Sequence, residues 1–195
     1  MQFQATKAFI SDKLKRELPG YLTYHSYEHV MDVYQAAENL GKLENITDHE
    51  MLLLLTAALF HDSGFIEGAA NHEECSCLIA RRYLPNFDFL PNDIEKICGM
   101  IMATKLPQLP DNHLEEILAD ADLDYLGRDD FFRISNLLFK EFTYAGIIKN
   151  IDEWDKLQVS FFESHHYFTD SASKLRQGKK AANLRLIKLK LIDKD

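Results

Sequence analysis

The sequence predicts an all-α fold, a single domain over residues 1–195 built as a helical bundle of about eight helices. Three observations carry that expectation. Apolar residues recur at helical spacing in nearly every segment. No window alternates apolar and polar residues as a half-buried strand would. Proline, glycine and capping residues separate the periodic segments, and no repeat, low-complexity stretch or interdomain linker interrupts them.

The N-terminal stretch MQFQATKAFISDKLKRELPG mixes charges into its apolar positions, so it reads as an amphipathic helix and not as a signal peptide. Thr23 is the expected cap of the next helix. Its apolar stripe is Met31, Val33, Tyr34, Ala37 and Leu40, and Gly41 is its expected stop. Thr47-x-x-Glu50 forms a capping box ahead of MLLLLTAALFHDSG, which Ser63-Gly64 breaks. Asn71 or His72 opens a helix that runs to Leu84, before Pro85. Pro91-Asn92-Asp93 opens the helix IEKICGMIMATK, ended by Pro107 and Pro110. A helix from about Leu114 carries EEILADADLDYLG, and Asp129 or Asp130 starts a long one towards Ala145. Residues 152–168 and 171–192 form two more. The core is expected over about residues 20–145, with the helices of 146–195 packed on it.

Composition narrows the function. No apolar run approaches the ~18 residues of a membrane span, because the longest block, Met51 to Phe60, is short and interrupted by Thr56. Cys75, Cys77 and Cys98 are odd in number and lie in helical patterns, which fits free thiols and a cytoplasmic protein. Cys75-x-Cys77 lacks the further cysteines of a zinc site. With 22 Lys and Arg against 31 Asp and Glu, the net charge of −9 disfavours stable nucleic-acid binding. Residues 174–195 hold eight basic and two acidic residues, a local +6 that leaves −15 elsewhere. That basic run is expected to pair with the acidic body.

Chemistry concentrates in three places. TYHSYEHV sets His25 and His29 four residues apart, which on a helix would place both on one face. Read as H-x-x-E-H, it also fits an inverted zinc-peptidase motif with Glu28 as base. LFHDSG ends an apolar helix with His61 and Asp62, and a buried Asp there requires a partner or a metal. LADADLDYLG crowds Asp120, Asp122 and Asp124 together, as a cation would require. A calcium loop fails, since Tyr125 and Phe131 stand where its Gly and Glu would fall. Imidazole with carboxylate suits one divalent ion of Mn, Fe, Co, Ni or Zn, with Mg also admitted.

The ordered set H…HD…D on an all-α chain resembles the HD-domain metal-dependent phosphohydrolases over roughly residues 20–145. The resemblance implies a metal held by His29, His61, Asp62 and Asp122, with Asp120 and Asp124 as structural alternatives for the last ligand. Asp120 is then a partner that steadies a metal ligand or the base that takes a proton from water. YHSYEH is similar to the Y-H-N-x-x-H of cyclic-nucleotide phosphodiesterases, with Ser26 in place of Asn. That likeness implies His25 as general acid and His29 as ligand. His72 and Glu73 match a region where relatives turn a histidine and an acid towards the metal, and Asn71 with Glu73 equally fits a helix start. A second ion would want histidines near IMATK, where Thr104 and Lys105 stand, so one metal is expected, with Lys105 as a candidate phosphate contact. Tyr125 or Asp129 is a candidate sugar contact, and His165 and His166 are read as packing residues or as part of the pocket wall. The implied activity is hydrolysis of a small phosphate ester or nucleotide, monoester or diester. The other classes are an HD-type oxygenase or lyase, the inverted peptidase, and a degenerate metal- or nucleotide-binding regulatory module.

Overall fold

The structure, a computed structural model, describes residues 1–192. Among these residues it has nine α-helices and no strand: α1 (Phe3–Glu17), α2 (Tyr27–Leu43), α3 (Asp48–Phe60), α4 (His72–Tyr83), α5 (Pro91–Ala103), α6 (His113–Asp122), α7 (Phe131–Tyr144), α8 (Ile151–Ser164) and α9 (Asp170–Ile192). The basic run lies mostly on α9, and its last residues, 193–195, fall outside the described residues. No helix among the described residues is long and apolar enough to cross a membrane.

Helix α3 is apolar all round, and such a helix belongs at the centre. Every residue from Leu53 to Phe60 is buried, and α1, α2, α5 and α6 pack around it. The Thr47–Glu50 capping box forms as expected and fixes where α3 begins. A second apolar cluster joins Tyr24, Leu126, Phe131, Phe162 and Ile187, from α7, α8, α9 and the segment after α6. Ala121 belongs to the first cluster and Leu123 to the second, so Asp122 lies on the seam between them.

Three local expectations are corrected. Thr23 does not cap α2; its hydroxyl donates to the Leu137 carbonyl, and Ser26 accepts from the His29 N–H instead. Gly41 does not stop α2, which runs on to Leu43. Gly41 sits at a close helix contact, where a Cβ would lie 2.8 Å from the flexible end of Met51 on α3. The α6 helix ends at Asp122, and residues Asp124–Gly127 form a separate 3-10 turn. Helix α9 holds that turn. Asn183 donates to the carbonyls of Leu126 and Arg128, Arg176 pairs with Asp124 at 2.6 Å, and a Cβ on Gly127 would meet the Arg176 backbone at 2.5 Å.

Asp120 anchors the joint between α8 and α9. One carboxylate oxygen accepts from the Phe168 N–H at 2.9 Å, and the other from the N–H and hydroxyl of Thr169 at 2.8 and 2.7 Å. The side chain is fully buried. Removing it leaves buried donors unpaired, which for charge-assisted bonds costs about 2–4 kcal/mol. Asp120→Ala should lose roughly that much stability in a urea melt while keeping its metal content. A variant of wild-type stability that loses only catalysis would instead return Asp120 to the role of base.

Candidate metal centre

His29, His61, Asp62 and Asp122 converge in the structure. His29 lies in the first turn of α2, which Ser26 caps. His61 is the residue at which α3 ends, and its Nδ1 donates to the Ala58 carbonyl at 2.8 Å. That bond fixes the tautomer and leaves Nε2 with its lone pair directed elsewhere. His61 Nε2 lies 3.4 Å from His29 Nε2, 3.2 Å from Asp62 Oδ2 and 3.5 Å from Asp122 Oδ1. His29 Nε2 lies 3.4 Å from Asp62 Oδ2 and 3.2 Å from Asp122 Oδ1. Ligands about 2.1 Å from a shared ion stand about 3.0–3.4 Å apart in octahedral or tetrahedral arrangement. The observed edges have that length.

The donor chemistry agrees. Two neutral imidazole nitrogens and two carboxylates are a set for a first-row divalent ion. Asp62 Oδ2 is buried and has no hydrogen-bond partner, a costly state that a cation resolves. Protons reveal the same need for positive charge. Burial opposes a charged His61, yet Asp62 and Asp122 outweigh it and hold its pKa well above the usual value. Burial likewise pushes Asp62 and Asp122 up, and the neighbouring histidines reverse this and hold both below the ordinary carboxylate range.

The turn carrying His61 and Asp62 is stitched in place. Ser76 on α4 donates to the His61 carbonyl at 2.6 Å and accepts from the Gly64 N–H at 2.7 Å. Only glycine fits at position 64, because a Cβ would lie 1.9 Å from the His72 carbonyl oxygen. The same close approach brings His72 Nε2 to 3.5 Å from Asp62 Oδ1 and 3.5 Å from Glu73 Oε1. His72 and Glu73 therefore stand beside the cluster. Asn71 makes no side-chain cap.

His25 sits apart from the four. It precedes α2, so it does not share a helix face with His29. Its Nδ1 pairs with Glu141 on α7, whose other oxygen accepts from the backbone N–H groups of Tyr24 and His25 at 2.9 and 3.2 Å. Its ring stacks on Phe65 at 4.2 Å, and the His72 ring stacks on Phe65 as well, at 4.1 Å. Burial opposes a charged His25, but the bond to Glu141, with Asp62 behind it, raises its pKa above the ordinary value. The inverted-peptidase reading fails here, because Glu28 is exposed and the carboxylates that join His29 are Asp62 and Asp122.

Glu141 escaped the sequence reading. A signal existed: with Phe131, Ile134 and Leu138 it continues the inward stripe of α7, where a glutamate needs a reason. Asp120, read as a base, is withdrawn from the cluster by the three bonds to Phe168 and Thr169. Asp124 pairs with Arg176. Lys105 lines the rim of the cavity that holds the cluster, half exposed and paired with Glu74. Tyr125 lines the same cavity, its hydroxyl paired with Tyr24, and burial raises its pKa. Asp129 is exposed beside Lys179, and His165 and His166 lie outside the cavity wall. His165 packs on Tyr167, and burial, with Lys180 nearby, lowers its pKa to about 3.

Neither family models nor curated proteins match this chain. Solved structures do. A predicted HD-superfamily hydrolase from an uncultured Thermotogales bacterium superposes with a TM-score of 0.65 at 19% identity, over 96% of this chain and 92% of its own. This chain shares the fold of that structure. Bacillus subtilis YpgQ, solved in complex with ADP, superposes at TM-score 0.63 and 19% identity, over 96% of both chains. A Lactobacillus plantarum structure matches at TM-score 0.66 and 15% identity, over 99% of this chain and 98% of its own.

The geometry of the cluster predicts how single changes affect metal. His61→Ala and Asp62→Asn should weaken Mn²⁺ or Zn²⁺ binding by about 100-fold or more, beyond the range seen when only a supporting residue is lost. His25→Ala and Glu141→Gln should leave it nearly unchanged. Calorimetric titration of metal-stripped proteins checks both, and a His25→Ala variant as metal-poor as His61→Ala would redraw the site.

Proposed function

We propose that this chain is a metal-dependent phosphohydrolase that cleaves a small phosphate ester, nucleotides included. The observation that carries the reading is the placement of a carboxylate-held histidine, His25, in one cavity with His29, Asp62 and Asp122 of the cluster. One divalent ion in that cluster supplies Lewis acidity towards a phosphoryl oxygen and acidifies water.

The protein's own groups supply the rest. Glu141 fixes Nδ1 of His25, so Nε2 is the nitrogen left to deliver a proton to the departing ester oxygen. The His25 and His29 ring centroids are 6.1 Å apart, so His25 stands directly beside the cluster. His72 and Glu73 steady Asp62 and, with Asp120 turned away, are the groups left beside the cluster to accept a proton from water. Lys105 at the rim draws an anionic ester inward. A second reading, a nucleotide-binding regulatory module without turnover, is favoured by one observation, the ADP bound to the structurally similar YpgQ. Turnover in a panel of phosphate mono- and diesters, run with Mn, Co, Ni, Mg and Zn on metal-stripped protein, separates the two.

His25→Ala should slow esters of poor leaving groups by about 10²–10⁴-fold, the usual range for a general acid. Nitrophenyl esters should suffer less, because nitrophenolate leaves without a proton. The pH profile gives an independent check. An acid with a raised pKa stays protonated above about 6.5, so activity falls as pH rises through that raised value. Glu141→Gln removes the partner that raises it, and the falling limb should move to lower pH. A limb that stays in place in Glu141→Gln excludes His25 as the titrating acid.

A further inference from the structure

We infer that the ester's leaving group is an apolar alcohol, seated in the part of the cavity that runs from the metal cluster between α7 and α8. This rests on the phosphohydrolase reading above and narrows its substrate class. The cavity is about 570 Å³, the size of a site for a ligand and not only for an ion. Beyond His29 and Asp122 its walls are Leu126, Phe131, Leu138, Phe142, Phe161 and Phe162.

The polar groups in that wall satisfy one another. Trp154 Nε1 donates to Ser135 Oγ at 3.3 Å, Ser135 Oγ donates to Gln158 Oε1 at 2.6 Å, and Gln158 Nε2 donates to Asp155 Oδ1 at 3.3 Å. A nucleobase buried there would have to break these bonds to have its edge read, and unpaired buried polar groups are costly. Charge points the same way. Among the described residues Lys105 is the one Lys or Arg lining the cavity, and it is already paired with Glu74. Asp62, Asp122, Glu73 and Glu141 line it too. One phosphoryl group suits a single divalent ion there, whereas a polyphosphate would want further cations.

The mouth continues the apolar character. Tyr21, Leu106, Ile147 and Leu157 line the cavity and yet stay 43%, 57%, 60% and 40% exposed. Tyr144 stacks on Tyr21 at 5.0 Å. Exposed apolar side chains gathered at one opening mark a binding surface, and this opening leads to the metal ligands.

Trp154 reports on the cavity directly, since it is the chain's single tryptophan and lies in the wall. Zinc-loaded protein titrated with methyl-, butyl- and octylphosphonate, which cannot be hydrolysed, should show Trp154 fluorescence changes. Affinity should rise roughly fourfold for each buried methylene until the cavity is filled. Leu157→Glu, a substitution at a half-exposed position, should weaken octylphosphonate at least tenfold and leave methylphosphonate unchanged. In parallel, kcat/KM should rise from methyl to octyl phosphate and exceed that for AMP and ADP. Equal affinity across chain lengths, or ADP bound more tightly than octylphosphonate, overturns the inference. Graded binding without turnover of any ester upholds the apolar subsite and overturns the hydrolytic reading instead.

Discussion

The end of α3 sets the terms for the rest of the molecule. An apolar helix surrounded by other helices delivers His61 and Asp62 into the interior, where unpaired polar atoms are costly. His61 Nδ1 is satisfied within its own turn, and its Nε2 and Asp62 Oδ2 are left facing inward. The first turn of α2 and the last residue of α6 bring His29 and Asp122 to the same point. Four donors with two negative charges are tolerable there only with compensating positive charge. Protons on the histidines provide it in part, and a divalent ion provides it in full. The supporting contacts serve that point: Ser76 ties both sides of the turn, and Gly64 lets the His72 backbone approach.

The C-terminal helices add what the ligands alone lack. Helix α7 brings Glu141 across more than a hundred residues of chain to His25, and one carboxylate holds both the ring and the backbone that precedes α2. Helices α7 and α8 line the apolar end of the cavity. Helix α9 pins the turn that carries Tyr125, through Asn183 and Arg176, while Asp120 fastens the α8–α9 joint to the end of α6. The basic run on α9 serves this architecture: Arg176, Lys179 and Lys188 each pair with an acidic residue of the body.

Helix positions were legible in the sequence because periodicity and caps are local properties. His61 and Asp62 stood out too, since a polar residue at the end of an apolar helix announces itself, whereas His29 and Asp122 were named from the family resemblance. What was not legible depends on partners distant in sequence. Gly41 looked like a stop because its packing against Met51 is tertiary. Asp120 and Asp122 share a helix and a residue type, and only the arrival of Thr169 decides which of them faces the cluster. Glu141 could be marked as out of place on an apolar stripe, but its partner lies 116 positions away. Thr23 lost the cap to Ser26 because the chain before α2 turns to bond Leu137 on α7.

Helix α7 ties the two ends of the cavity together. Its inward stripe passes from Phe131 through Ser135 and Leu138 to Glu141. The first three shape the apolar wall, and the last fixes the histidine beside the metal cluster. A rotation or shift of α7 that widened the wall would also displace the carboxylate from His25. Close-packed interiors transmit such shifts and do not absorb them. On the proposed reading, the fit of the ester's apolar part and the orientation of its proton donor are therefore set by one rigid element. On that reading, substitutions in the wall of α7 act on leaving-group specificity and on proton delivery at once, and Trp154 and Gln158 of α8 reach the same element through Ser135.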